Sequence, residues 1–528
     1  MNKPADNILI HTPTGQKSVF FDIPLSVKSL KITALITLSA PTLIFLFTFL
    51  RWYIGIPFCG CLLTAMLLYV KKQRQIKSSS TIFGERDDHF TVSLPSLICC
   101  IMVAVLWAYL SGIGGRFTQS NDFHGRNAIF HDLINYSWPV YFENGQGALT
   151  YYIGFWLVPA LAGKLFGVFF GPIYAWKFAN LFLLLQTVWY LLLIFLLMLS
   201  LLNRRSHVFL FLLLAVLFSG MDGLMSFLKN DWSTHLEYWA SDWQYSSLTT
   251  CLFWVFNQTL PAWLATLLLM NSITEFGSYG LFGASLVLTS PFPLVGFFLI
   301  CAGSFIAQFI SRKESGQRLG MIKDTLNSCN ILAVFAVIPI FFYLKASNAM
   351  SGSSLHIDLF SHKYTFPQLI LAHLLFALIE WGLYAVLMFT RFKKDPVFLT
   401  VCFSLIAFPW FRSGGYFNDF PMRASIPALF ALMLYCAESF SGWKKNPHMA
   451  LTFLLAACLA IGIFTPMTEF KRGIDEYVEN GYHPVIRDYY KTIIHEEAQT
   501  ENYVCTDIEN SLFFTYLAKP LADNEEQK

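Results

Sequence analysis

Along most of this chain the apolar residues come in long unbroken runs, not in the alternation of period two or 3.6 that marks strands and half-buried helices. A run of about 20 apolar residues is what a helix needs to cross a hydrocarbon core. Runs of this kind occupy residues 31–50, 52–70, 94–114, 175–202, 207–221, 251–272, 329–344, 368–389, 397–411, 424–439 and 450–464. A further pair, 281–290 and 294–310, is interrupted by Pro291 and Pro293, so these two are expected to be short or re-entrant. The pattern predicts an all-α polytopic membrane protein with thirteen spans. The first 30 residues are polar and resemble no cleavable signal peptide; they are expected to form a short cytoplasmic segment ahead of a transmembrane domain over 31–464 and a soluble tail over 465–528.

Composition strengthens this reading. Of 528 residues, 55% are hydrophobic and only 13% charged, with a mean hydropathy of +0.52, whereas soluble domains carry roughly 25% charged residues. The net charge of +3 gives no ground for a nucleic-acid partner, because the basic residues sit in short clusters between apolar runs. Most of the eleven cysteines lie inside those runs, with no CxxC or Cys/His spacing, which argues against both a disulfide framework and a zinc site.

Lysine and arginine favour the cytoplasmic ends of spans. Five clusters can be placed: Lys71, Lys72, Arg74 and Lys77; Arg204 and Arg205; Arg312, Lys313, Arg318 and Lys323; Arg391, Lys393 and Lys394; Lys444 and Lys445. They fall on one side only if residues 149–170, which contain Pro159 and Lys164, do not cross. That segment is therefore expected to lie in the outer interface, with the N-terminus inside and the C-terminus outside. The outer face then receives the polar loops 115–174, 222–248, 345–366 and 412–423 together with the tail, and the inner face little but basic anchors. The halves show no internal repeat of the kind transporters often carry.

Ionisable groups are costly near a bilayer unless they are solvated or used, which draws attention to the first outer loop. It places Asp122, His124, Arg126, His131 and Asp132 directly after the third span. A short helix is expected at 125–136, with His131 and Asp132 either supporting the site or facing solvent. A Trp-Pro pair follows, and then an apolar segment ending Gly163-Lys164-Leu165-Phe166-Gly167. Asp122 is either a catalytic acid or a cap of the loop, and His124 either a structural hydrogen-bonder or a functional group. In the second loop Asp222 and Glu237 are candidates beside His235, Trp239, Trp243, Gln244 and Tyr245. The third loop runs from Arg412 to Arg423. A guanidinium offers a planar fork of donors matched to phosphate oxygens, and arginine at the outer edge runs against the charge bias. Arg423 is preferred to Arg412 because it opens the next span; pairing with Asp419 is the alternative. Gly414 and Gly415 would let a ligand approach the backbone. Residues 289–293 mark a broken helix that either admits a lipid chain or is only a kink. Glu380, inside an apolar run, has no partner that the sequence names. The tail reads as helices at 473–477 and 484–497, a strand at 503–506 and an amphipathic end at 511–517, and is expected to cover the outer site.

This order of features over about 114–176 resembles the GT-C superfamily of integral-membrane glycosyltransferases, including the protein O-mannosyltransferases and the lipid A aminoarabinose transferase. In these an acidic motif opens the first large external loop, a short helix and a Trp-hydrophobic-Pro element follow, and an apolar segment then lies along the membrane. The resemblance implies a GT-C-like bundle and a donor sugar linked to polyprenyl phosphate or diphosphate. A glycan, lipid or protein would be the acceptor. The charge bias puts the site on the outer face, and short loops without eukaryotic-style processing signals point to the cytoplasmic membrane of a bacterial cell. The resemblance gives Asp122 the role of general base, and makes Asp222 and Glu237 candidates for metal or substrate contact; Arg423, Arg412, His124 and Lys164 complete the candidates for contact with substrate or phosphate. This chain has Asn121-Asp122 where the family has two acids, so His124 is either a helper or a metal ligand, and a divalent cation is left open as cofactor. A flippase for a lipid-linked substrate, or a surface-polysaccharide polymerase or ligase, would use the same outer arginines.

Overall fold

The computed structural model describes residues 22–142, 147–202, 207–232, 235–349, 355–360, 363–413, 419–441, 449–480, 492–495 and 502–520. Helices dominate. The first, α1 (Val27–Thr48), starts where the Ser26 hydroxyl accepts the Ser29 N–H, an N-cap that satisfies one of the orphan donors of a first turn. It is followed by α2 (Trp52–Gln75), α3 (Leu94–Leu110) and the short α4 (Phe123–Asn135) of the first large loop. Next come α5 (Gly154–Phe170), α6 (Pro172–Leu202), α7 (Val208–Leu217), α8 (Asp222–Lys229) and α9 (Leu248–Met270). The middle of the chain adds α10 (Tyr279–Ala284), α11 (Pro291–Ser311), α12 (Ser315–Thr325), α13 (Ser328–Ala336) and α14 (Ile338–Lys345). The last are α15 (Phe366–Phe392), α16 (Pro396–Ala407), α17 (Asp419–Ala424), α18 (Ile426–Phe440), α19 (Met449–Gly462) and α20 (Phe464–Asn480).

Among the described residues, eight helices are long and apolar enough to cross a membrane, or nine if the bent pair α7–α8 is one span. This is a multi-pass membrane protein. Every expected apolar run coincides with a helix, but thirteen is reached only by including shorter pieces. The runs at 94–114, 397–411 and 424–439 make helices of 10–17 residues, and 281–290 is only the six-residue α10 and a turn. The prolines at 291, 396 and 427 open new helices at these places; their fixed φ and missing N–H suit a first turn and not an interior.

The ends of the helices sort into two levels. Lys31 at the start of α1 reaches Glu275 at 2.6 Å; Gln73 at the end of α2 also binds Glu275, and Ser200 at the end of α6 binds Asn271, just past α9. Lys72 pairs with Asp324 at 3.3 Å, and the ring of Phe83, in the hairpin after α2, meets Phe392 at the end of α15. The described basic clusters therefore gather at one end of the bundle. Arg204, Arg205, Lys444 and Lys445 lie outside the described residues. At the far end are the start of α9, α4, α17 and α20.

Segment 149–170 forms α5, which folds back on α6 through Gly171, at φ +89°. Gln186 of α6 donates to the Phe155 carbonyl at 2.8 Å, so α5 lies antiparallel to the first half of α6. The tip of this hairpin exposes Val168, Phe169, Phe170 and Ile173. The most enclosed helix is α9, with 94% of its apolar window buried against 28% for α2 and α11. It is also broken: Val255 has φ −134° and ψ 37°, and the Thr259 hydroxyl donates to the Cys251 carbonyl across the gap at 3.0 Å.

The tail packs onto the first large loop. Strand residues Val504–Cys505 pair with Gly147–Leu149, and Ala518 bridges to Leu50. Asp132 accepts from the Thr492 hydroxyl and the Ile493 N–H, each at 3.0 Å, and contacts His131 Nδ1 at 3.0 Å. His131 and Asp132 are buried, which excludes the solvent-facing one of the two alternatives: the helix turns them inward, where Asp132 docks the tail. The expected helix at 484–497 lies mostly outside the described residues.

Candidate functional site

Two short helices at the far end carry the same device. On α4, Asp122 Oδ2 and Arg126 Nη2 are 2.9 Å apart; on α17, Asp419 Oδ2 and Arg423 Nη2 are 3.1 Å apart. Both are i,i+4 pairs, the spacing that brings side chains together on one helix face. In each the carboxylate is the outer partner, 40% and 44% exposed, and the guanidinium the sunken one, 5% and 14% exposed.

Three tyrosines stand around the two pairs. Tyr151 and Tyr152 follow the strand Gly147–Leu149, and Tyr503 is delivered by the tail, where its carbonyl accepts the Thr150 N–H at 2.8 Å. Arg423 Nη1 donates to the Tyr152 hydroxyl at 3.1 Å. Burial works against the charge of Arg423 but is outweighed by Asp419, then by Tyr152, Tyr151 and Asp122, which raise its pKa. Tyr503 is pushed up to about 12 by burial and by Tyr152, and also feels Arg126, Asp122 and Arg423. Tyr238, raised by burial and Glu237, senses Asp122 and Asp419 as well. Asp122 and Arg423, about 300 residues apart in sequence, thus share one electrostatic neighbourhood.

Both arginines keep unused hydrogen-bonding capacity. Arg126 lies over the rings of Phe123 and Phe256, each at 5.8 Å, and its buried Nη1 has no hydrogen-bond partner among the described residues; the same holds for Arg423 Nε. Arg423 also lies 5.7 Å from the ring of Phe292, in the first turn of α11, and the outer face of α11 exposes Val295, Phe298, Ile306 and Ile310. A buried donor left unpaired costs about 1–3 kcal/mol, so the arrangement favours an acceptor group between the two helices.

Comparison with known protein families, with curated proteins and with solved structures finds no match.

The remaining candidates are placed elsewhere. Arg412 reaches Asp358 at 3.2 Å and the Asp242 carbonyl at 3.2 Å, and lies 4.3 Å over the ring of Phe360; a neighbouring loop has captured it. Lys164 donates to the Tyr136 carbonyl and faces the ring of Trp138, where it closes the C-terminal end of α4. His124 is exposed at the start of α4. Gly414 and Gly415 lie outside the described residues.

Asp222 and Glu237 belong to a second, acidic cluster. Asp222 is fully buried and accepts from Thr465 at 2.8 Å, Ser219 at 3.2 Å and the Trp239 indole at 3.2 Å. The same indole donates to Glu380 at 2.7 Å, which supplies the partner the sequence leaves unnamed. Glu237 accepts the Ser247 N–H at 2.9 Å and the Ser246 hydroxyl at 2.8 Å, and burial with Asp222 and Glu469 nearby lifts its pKa to about 8. Glu469 accepts from the Trp254 indole at 2.9 Å and pairs with Arg472. Among the described residues no three His, Cys, Asp or Glu side chains converge to hold a metal ion.

Arg126, Asp419, Tyr151, Tyr152, Tyr238 and Tyr503 complete the first cluster, and the sequence reading gave none of them a role in binding. The i,i+4 spacing of Asp122 to Arg126 was available as a signal. The tyrosines are united only by the tertiary fold.

Proposed function

We propose that this protein is a GT-C-like membrane transferase that moves a sugar from a polyprenyl phosphate or diphosphate carrier to an acceptor at the outer face of the cell membrane. The observation that carries this reading is that two Asp–Arg pairs share the electrostatic surroundings of one tyrosine cluster, at the end of the bundle opposite the described basic clusters. Asp122 Oδ1 accepts no hydrogen bond among the described residues and is free to take the proton of an acceptor hydroxyl. That oxygen then bonds to the anomeric carbon as the carbon–oxygen bond to phosphate breaks, and the electron pair leaves on the phosphate. Arg126 and Arg423 would hold the leaving phosphate through their unused N–H groups, and the exposed face of α11 offers the prenyl chain an apolar path to Arg423.

The test uses purified protein in lipid nanodiscs with undecaprenyl phosphate esters of radiolabelled sugars and candidate acceptors. Asp122→Asn removes the base at constant shape and is expected to lower transfer by about 10²–10⁴-fold with an unchanged melting temperature. Full activity in that variant removes the assignment. A second reading, a flippase for the same lipid, is favoured by the buried Lys31–Glu275 pair at the opposite end. It predicts label that changes leaflet while remaining on its carrier.

A further inference from the structure

Below the arginines, two interrupted helices meet. The break in α9 at Val255 is followed by Asn257 and Gln258, 1% and 0% exposed, and none of their four side-chain nitrogen and oxygen atoms has a hydrogen-bond partner among the described residues. The indole N–H of Trp263, two turns further on, is also buried and unpartnered. Against this break stands the elbow between α10 and α11: the Ser290 hydroxyl donates to the Gln258 carbonyl at 2.8 Å, and the Leu288 carbonyl accepts the Gly154 N–H at 3.2 Å. Non-helical backbone at membrane depth is tolerated where it is buried in protein or lines a cavity, and paired broken helices are a recurring way to build a polar site there. Four unpaired amide atoms within one turn exceed what native interiors usually leave unsatisfied.

The position ties this region to the site above it. Phe256, the neighbour of Asn257, packs under Arg126, and Phe292, two residues from Ser290, packs under Arg423. We propose that this junction is the sugar pocket of the donor site, and that it selects an uncharged hydroxyl-bearing ring. The inference rests on the transferase reading. Each amide offers a carbonyl acceptor and two N–H donors, which match neighbouring hydroxyls that both donate and accept. Neither amide is bonded to a carboxylate or an ammonium among the described residues, so the amides themselves compensate no charge on the ring, and an amino sugar or uronic acid would enter their pocket at a desolvation cost.

The test is equilibrium binding to nanodisc-embedded protein of three probes: undecaprenyl phosphate, its glucosyl ester and its glucosaminyl ester. Wild type is expected to bind the glucosyl ester about tenfold or more tighter than the bare phosphate, with no such gain for the glucosaminyl ester. Asn257→Leu and Gln258→Met keep the approximate volume and remove the hydrogen bonds. They are expected to abolish that gain, leave the affinity for undecaprenyl phosphate unchanged, and raise the melting temperature of the ligand-free protein, because unpaired buried amides are destabilising. Equal binding of all three probes by wild type overturns the pocket but not the transferase, and that comparison depends on no variant. Variants that keep the preference, or that melt lower because the amides are held by internal water, also overturn it. If wild type binds no prenyl phosphate at all, the transferase reading falls and the pocket falls with it.

Discussion

Replacing Glu237 by glutamine isolates one protonation equilibrium whose contribution to stability can be worked out. The carboxyl is buried, and its pKa is lifted from 4.5 to about 8 by burial and by Asp222 and Glu469. The folded protein therefore holds this proton through a range in which the unfolded chain has released it. A carboxyl with a raised pKa contributes stability that is complete below its unfolded value and is lost as pH rises through the folded one. Each pH unit between 4.5 and 8 removes about 1.4 kcal/mol, so the whole window is worth about 5 kcal/mol at most. Glutamine at 237 keeps a carbonyl that can accept the Ser247 N–H and has no proton to lose. The midpoint of thermal unfolding, followed by the fluorescence of the 14 tryptophans, is measured for both proteins from pH 5 to pH 9. The variant is expected to gain on wild type steadily up to about pH 8, and the difference then levels off. A constant difference between pH 5 and pH 8 would refute the reasoning, since it means that Glu237 is already ionised in the fold.

Three further outcomes follow from single contacts. Lys31→Met leaves Glu275 charged and buried without its ammonium and is expected to cost about 3–5 kcal/mol, read as a large fall in melting temperature that Lys31→Met/Glu275→Leu partly restores. Asp132→Ala strips the Thr492 and Ile493 donors of their acceptor, so trypsin should cut the tail several times faster at unchanged global stability; equal cutting rates would mean the tail is docked by other contacts. Gly296→Ala places a Cβ 2.0 Å from the Ala424 carbonyl, next to Arg423, and the resulting backbone shift is expected to cost about 1–3 kcal/mol and to weaken binding of undecaprenyl phosphate more than Gly316→Ala, where nothing lies within 4 Å.

How far the sequence could be read depended on the range of the interaction. Depth along the bilayer is a local property: a run such as 52–70 carries its own hydrophobicity, and α2 forms there with no need of its neighbours. The pairs Asp122–Arg126 and Asp419–Arg423 are local too, set by one helical turn. Which loop meets which is not local. Tyr151 and Tyr503 come together because strands of two and three residues pair Leu149 with Val504, and elements so short leave no periodic trace. The sequence favours Arg423 over Arg412 because Arg423 opens the next span, but it does not show what holds Arg412 away: Asp358, from a different loop, pairs with Arg412, while Arg423 bonds to Tyr152. The break in α9 is an intermediate case. The run at 251–272 reads as one continuous span because its apolar residues dominate, but Asn257-Gln258-Thr259 inside it is a polar triplet that a straight buried helix would have to satisfy within the helix or against its neighbours. Among the described residues only Thr259 of the three finds such a bond, and it does so across the break. A cluster of uncharged polar residues inside an otherwise apolar span therefore marks unwound backbone as well as a candidate site, because the condition that makes the amides costly to bury is what a ligand with hydroxyl groups would relieve.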